Sequence, residues 1–333
     1  MKEYSIGPND AGQRLDKFVS KTVKRLPEAL LYKYIRLKRI KVNGKRSDIS
    51  CRLAVGDRVQ LYLNDEFFES SDSALSFLSA PAKLQILYED ENVMIVDKKP
   101  GLVVHEDESG SADTLINRVR HLLYDRGEYR PEDENSFAPA LCNRIDRNTG
   151  GIVLAAKNAP ALRILNEKIK MREVHKYYLC IVHGVPEKSE ALLEGYLEKD
   201  EKEKKVYIHG TPRKGALTAK THYRVLKSRE GLSLLQVELL TGRTHQIRAH
   251  LASIGHPLLG DGKYGSNLAN RAYGLSWQAL YAYRVYFDFT GNAGVLDGLN
   301  HRSFEVPDIW FVDRFFPDCR PAKGPVRPDV PER

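Results

Sequence analysis

Two stretches of the chain concentrate side chains able to do chemistry. The first reads ALCNRIDRNTGGIVLAAKN, in which the polar segment Asn143 to Gly151 runs into the apolar, strand-like Ile152 to Ala156. This pattern puts Asp146 in a loop entering a strand. A carboxylate flanked by Arg144 and Arg147 is expected to keep its charge, because opposite charges favour the ionised form, and an ionised carboxylate can act as nucleophile or base. Local composition on its own favours a plainer role, an aspartate that caps a turn or pairs with arginine. The second stretch, LLTGRTHQIRAHLASIGHPLLGDGKYG, spans residues 239–265. There Thr241-Gly242 closes the apolar run SLLQVELL, a helix begins nearby, and Arg243, His245, Arg248, His250 and His256 gather hydrogen-bond donors. His245 and His250 are five apart, not the four that would align two ligands on a helix, so packed, hydrogen-bonded histidines are the better reading than a metal site. Arg243 offers a planar fork that suits a phosphate or a carboxylate, and Asp146 is the carboxylate expected opposite it.

The elements that must hold these residues follow from periodicity and charge. At 333 residues the chain exceeds the roughly 250–300 at which one core stops growing, so two domains are expected. Residues 1–63 carry 15 Lys/Arg against six Asp/Glu, a net of +9, and residues 64–333 carry 37 against 38. A basic block before a neutral body points to a polyanion grip, nucleic acid being the commonest polyanion. Within it, Leu15, Phe18, Val19 and Val23 form the stripe of one amphipathic helix, and a second is predicted through LPEALLYKYIRLKR with Lys33, Arg36 and Arg39 recurring on one face. Asn43-Gly44 then signals a tight hairpin and VGDRVQLYL a strand. Residues 64–80, rich in serine and acid, are expected to be a linker, residues 81–316 a second domain mixing strands and helices, and the proline-rich 317–333 a disordered tail. The four cysteines lie far apart, and neither an apolar leader nor a run of about 18 apolar residues occurs, so a cytoplasmic protein outside the membrane is expected.

Residues 12–63 resemble the small RNA-binding domain shared with ribosomal small-subunit protein S-four, through Arg14-Leu15-Asp16, the basic second helix, Val42-Asn43-Gly44 and Gly56-Asp57. Residues 84–290 resemble the RluA-type RNA pseudouridine synthases. Their pattern appears as Lys99-Pro100-Gly101 with Val104-His105, then Arg144-Ile145-Asp146 with Thr149-Gly150-Gly151, Lys176 with Tyr178, and Gly242 through Arg248. The resemblance implies a mixed α/β (α+β) fold with a bent, largely antiparallel sheet and flanking helices. It implies that Asp146 is catalytic, that Arg243 pairs with it, that Tyr178 stacks on the target base, and that Arg144 enters the space left by a flipped nucleotide. Lys33, Arg36, Arg39 and Arg248 complete the expected RNA contacts. No metal and no cofactor are expected. The expected partner is RNA, first of all large-subunit ribosomal RNA with transfer RNA second, DNA is not expected, and the protein is expected to be a monomer.

Several points stay open in the sequence. Asn143 stands where the family usually has histidine, Ile145 replaces leucine, and Gly150-Gly151 replaces serine-glycine. Tyr281 in QALYAYRVYF falls where the family has a histidine, with Leu280 beside it as a pocket candidate. KYYLCIV leaves Tyr177 and Tyr178 as alternatives, with Lys176 favouring Tyr178. Whether Asp146 attacks the sugar or removes a ribose proton is undecided. Two other readings remain: a non-catalytic RNA-binding or ribosome-assembly protein, and a hydrolase using Asp146 and the histidines.

Overall fold

A computed structural model describes residues 1–68, 75–106 and 110–319. The basic N-terminal segment folds around its own apolar cluster. Strands β1 (Lys2–Ser5), β2 (Ile40–Val42), β3 (Lys45–Arg46) and β4 (Arg58–Leu61) form a sheet in the order β1-β4-β2-β3. Helices α1 (Leu15–Thr22) and α2 (Glu28–Arg36) bury Leu15, Phe18, Val19, Leu31 and Ile35 with Ile40, Val59 and Leu61. The motif residues hold the corners. Asn43 and Gly44 both take positive φ in the β2–β3 turn, and Asn43 exchanges bonds with Asp57 and the Arg58 amide. Arg14 forks onto Asp16, which is buried at the start of α1.

The second helix is shorter than its periodicity suggests. Lys38 adopts φ 60°, and the Lys38 and Arg39 amides return to Ile35 and Tyr34 carbonyls in a Schellman termination. Lys33 and Arg36 therefore share the helix, while Arg39 lies beyond it with its guanidinium 5.3 Å from the Tyr34 ring centre. The expected row of three cations on one helix face is not formed.

The rest of the described chain builds an eleven-stranded, antiparallel-rich sheet in the order β11-β10-β12-β13-β9-β14-β8-β6-β5. Its strands are β5 (Gln85–Glu89), β6 (Val93–Lys98), β7 (Ala140–Leu141), β8 (Gly150–Ala156), β9 (Val174–His183), β10 (Glu190–Asp200), β11 (Lys205–His209), β12 (Leu217–Arg229), β13 (Leu232–Leu239), β14 (Leu280–Phe287) and β15 (Ser303–Glu305). β7 pairs with β8 and β15 with β14, and β14 runs parallel to β8. Alternation divides the side chains between two faces. Tyr177, Leu179 and Ile181 enter the largest core, where α4 (Ala159–Lys170) and α7 (Trp310–Phe315) also pack, and Tyr178, Cys180 and Val182 face the opposite side with α5 (Gln246–Ser253). α3 (Leu115–Asp125) covers β6 and β8 through Leu115, Val119 and Leu123, and α6 (Asn267–Arg271) lies in the connection to β14.

The segment expected as a linker is partly built into this body. Ser76–Ser79 forms a 3-10 turn that buries Phe77 against Tyr124 and Tyr129, because one aromatic ring outweighs the polar composition around it. Residues 69–74 lie outside the described residues. Of the expected tail, Asp318 pairs with Lys227 and the Cys319 amide bonds to the Phe316 carbonyl; positions 320–333 lie outside the described residues.

The basic segment is joined to the large body by polar bonds. Asp10, buried, accepts from Asn135 Nδ2 at 2.7 Å and Ser136 Oγ at 2.6 Å, and the Ala159 amide at the start of α4 donates to Asn9.

Candidate active site

A cleft of about 1060 Å³ crosses the large sheet and collects Asp146, Arg144, His105, Lys176, Tyr178, Arg243, His245, Arg248 and Leu280 along its walls. Asp146 lies in the loop between β7 and β8 with its side chain 24% exposed. That loop is held at three points. The Thr149 amide closes a turn on the Asp146 carbonyl, the Thr149 hydroxyl accepts from Gln278, and Asn143 pairs with the Leu154 amide and Ile152 carbonyl of β8. Asn143 thus supplies both a donor and an acceptor to the strand that carries the loop.

A fourth anchor comes from Lys98, the residue just before the Lys99-Pro100-Gly101 motif. Lys98 is almost fully buried at the end of β6, and its Nζ donates to the carbonyls of Lys99, Leu102 and Arg147 at 3.0, 2.8 and 2.9 Å. Burial pushes it down to about 7, with Asp146 and Asp97 opposing. Lys99 points to solvent.

The arginine that meets Asp146 is Arg248. Its Nη1 donates to Asp146 Oδ2 at 2.9 Å, while its Nε and Nη2 fork onto buried Asp261 at 2.7 and 3.0 Å. Burial opposes its charge, but the two carboxylates outweigh that and raise it above the usual arginine range. Arg243, expected in this pair, is exposed at the rim, and its Nε donates to the Thr218 carbonyl at 3.3 Å. The local backbone explains the exchange. His245 takes φ 53° as the N-cap of α5, and Gln246 ties the turn together by accepting from Thr241 and the Arg243 amide and donating to Lys220 and Thr221. Arg243 is left before the turn, and Arg248 comes onto the buried face of α5. The same geometry commits the Arg248 guanidinium to two carboxylates at the cleft wall.

Tyr178 lines the cleft; Tyr177 packs on the other face with the Arg284 guanidinium 4.5 Å from its ring centre. Burial raises the Tyr178 hydroxyl, and the Asp146 charge adds to it, so the ring stays neutral next to the carboxylate. His245 Nε2 is 3.8 Å from Asp146 Oδ2 and its Nδ1 bonds Tyr264, a partner the motif reading missed. Burial lowers His245, with Asp146 opposing. His105 is lowered by burial and by Arg144 and Arg120. No group of three His, Cys, Asp or Glu placed to hold a metal occurs among the described residues.

The departures from the family pattern are partly one change. The parallel β14–β8 register sets Tyr281 opposite Gly150, and a Cβ on Gly150 would come within 2.3 Å of the Tyr281 ring. Tyr281 also donates to buried Asp97 at 2.8 Å, so the larger aromatic takes the room that a serine at 150 would use.

Comparisons with known proteins show the family. The sequence pattern of the RNA pseudouridylate synthases matches residues 92–253. An uncharacterized RNA pseudouridine synthase of Mycoplasma genitalium is 32% identical over 291 residues, covering 86% of this chain and 88% of that protein. The ribosomal large subunit pseudouridine synthase C of Escherichia coli is 30% identical over 309 residues, covering 89% and 91%. Among solved structures, human RNA pseudouridylate synthase domain containing 4 matches with a TM-score of 0.53 at 22% identity, over 72% of this chain and 94% of that one, which speaks to the fold. The chain belongs to the RNA pseudouridine synthase family. It is an isomerase that acts on RNA.

Proposed function

We propose that this protein isomerises specific uridines in structured RNA, large-subunit ribosomal RNA first, with Asp146 as the catalytic residue. One observation carries the reading. Asp146 stands partly open in the cleft with Oδ2 fixed by Arg248, and among the described residues nothing bonds to Oδ1, which is left for the substrate. The reaction breaks the bond from N1 to the ribose, turns the uracil, joins C5 to the ribose and moves the C5 proton to N1. Atoms and electrons balance without an oxidant or a second substrate. A fixed carboxylate can act at the sugar carbon or at a ribose proton, and the bound RNA itself would have to cover the cleft to keep water from the detached base.

Tyr178 is the ring on which the loose base rests, and exposed Arg144 fills the stack that the flipped nucleotide leaves, which helps offset a cost of a few kcal/mol. The basic N-terminal segment, read as an S-four-like module, adds phosphate contacts through Lys33, Arg36 and Arg39 in a cytoplasmic enzyme. The ribosomal target is supported by the 30% identity to a ribosomal large subunit enzyme.

Asp146→Asn keeps shape and removes the charge. It is expected to bind ribosomal RNA within a few-fold of wild type and to form no pseudouridine, as mapped by carbodiimide adducts. Wild-type conversion by the variant would refute the assignment. Wild-type protein active on transfer RNA alone would move the substrate, and inactivity on both would return the non-catalytic reading.

A further inference from the structure

A second recess, about 430 Å³, opens behind the loop that carries Asp146. Trp277, Trp310, Lys99 and Arg314 line it. These are the two tryptophans of the entire chain, and both come to one place. Trp277 is 38% exposed, Trp310 is half-buried, and Lys99 and Arg314 are exposed. Arg314 is held at the rim by donating to the Tyr273 carbonyl at 2.8 Å, with its guanidinium 4.9 Å from the Phe315 ring centre. Flat aromatic surface beside two cations, one of them anchored, matches an unpaired nucleotide, whose base stacks and whose phosphate is attracted. The volume falls in the range of small-ligand sites, about 300–1,000 Å³.

The recess shares its wall with the catalytic loop. A Cβ on Gly101 would stand 3.2 Å from the Trp277 indole, so the ring rests on that backbone. Gly101 in turn exchanges bonds with Arg147: its amide donates to the Arg147 carbonyl at 2.9 Å, and its carbonyl accepts from Arg147 Nε at 3.1 Å. Gln278, next after Trp277, donates to Thr149. These links reach the loop one and three positions beyond Asp146.

We propose that the recess binds an unpaired nucleobase of the substrate RNA near the target uridine, stacked on Trp277 and Trp310 with its phosphate at Lys99 and Arg314. The proposal rests on the synthase reading for the word target; the grip itself rests on the indoles and cations.

Tryptophan emission of the full-length protein reports this recess, since both fluorophores line it. Single-stranded decaadenylate should quench it saturably, and a duplex of the same length should quench far less. Trp310→Ala and the surface double variant Lys99→Gln/Arg314→Gln, which removes no buried contact, should each weaken decaadenylate binding about tenfold. The same variants should raise KM for ribosomal RNA. Absence of quenching, equal quenching by the duplex, or unchanged affinity in the double variant overturns the proposal. If wild type converts uridine while the variants match it in both assays, the recess fails and the synthase reading stands. If wild type converts nothing yet is quenched with the expected losses in the variants, the synthase reading fails and the recess stands as an RNA grip.

Discussion

Arg248 satisfies two carboxylates at once, and its removal strands both. Asp261 is fully buried and would keep only the backbone bonds from Lys263 and Tyr264, while Asp146 would lose the partner that fixes Oδ2. Breaking a buried pair by deleting one partner costs about 3–5 kcal/mol. Arg248→Met should therefore lose turnover and melt well below wild type, and Arg248→Lys, which keeps charge without the fork, should fall between them. Arg243→Gln should melt like wild type and lose far less turnover. Equal losses in Arg243→Gln and Arg248→Lys would restore Arg243 to the pair. The motif contained both arginines, and its residues could not say which faced inward, because that depends on His245 taking a left-handed conformation before α5. A usable signal was present nonetheless: Arg248 lies among Ile247, Ala249 and Leu251, and a cation in an apolar run must be buried with a carboxylate. The same signal separates Lys98, at the end of the apolar run VMIVDK, from exposed Lys99. That Asp146 and Tyr178 would come to one place was legible through order and spacing with the rest of the pattern.

At the scale of elements, the parallel contact of β14 with β8 makes residues far apart in sequence exchange volume. Gly150→Ser would press against Tyr281, and Tyr281→His would open that space while giving up the bond to Asp97. Each single change should lower the melting temperature, and the double variant should recover part of the loss, with a coupling of about 0.5–3 kcal/mol for residues in contact. Additive losses by thermal melts would separate the two departures. Helix and strand types were readable from periodicity, but the α2 terminus was not, since a lysine accepted the positive φ that glycine usually takes. Phe77 escaped for a similar reason: its burial is decided by α3, which the local composition of 64–80 does not contain.

For the molecule as a whole, acid stability depends on a histidine sealed between α5 and the sheet. His250 is buried, its Nδ1 shares a 2.7 Å bond with Thr221, and its Nε2 has no partner among the described residues. Burial pushes it down to about 4 from an ordinary value of 6.5. Between those values the unfolded chain takes up a proton that the folded chain refuses, so stability is present above about 6.5 and is lost as pH falls towards 4. His250→Gln removes that titration. The gap in melting temperature between wild type and variant should narrow from pH 7 to pH 5, and a gap that stays constant or widens would show that the ring is not excluded from protonation. Fold class and the charge asymmetry were readable from the whole sequence. The docking of the basic segment through Asp10, Asn135 and Ser136 was not, because single polar residues 125 and 126 positions apart leave no periodic trace.

The bonds that hold the Asp146 loop also set an order in time. They join residues 49 positions apart through Lys98, 102 through Arg248 and 129 through Gln278. Contacts of such long separation form late, after their loop-closure entropy has been met. During synthesis the basic segment leaves the ribosome with all of its own core, whereas the Asp146 loop has no complete set of anchors until residue 278 has emerged. On the proposed reading, a growing chain has its basic grip folded well before the Asp146 loop is braced, and chemistry begins only when nearly the entire sheet has closed.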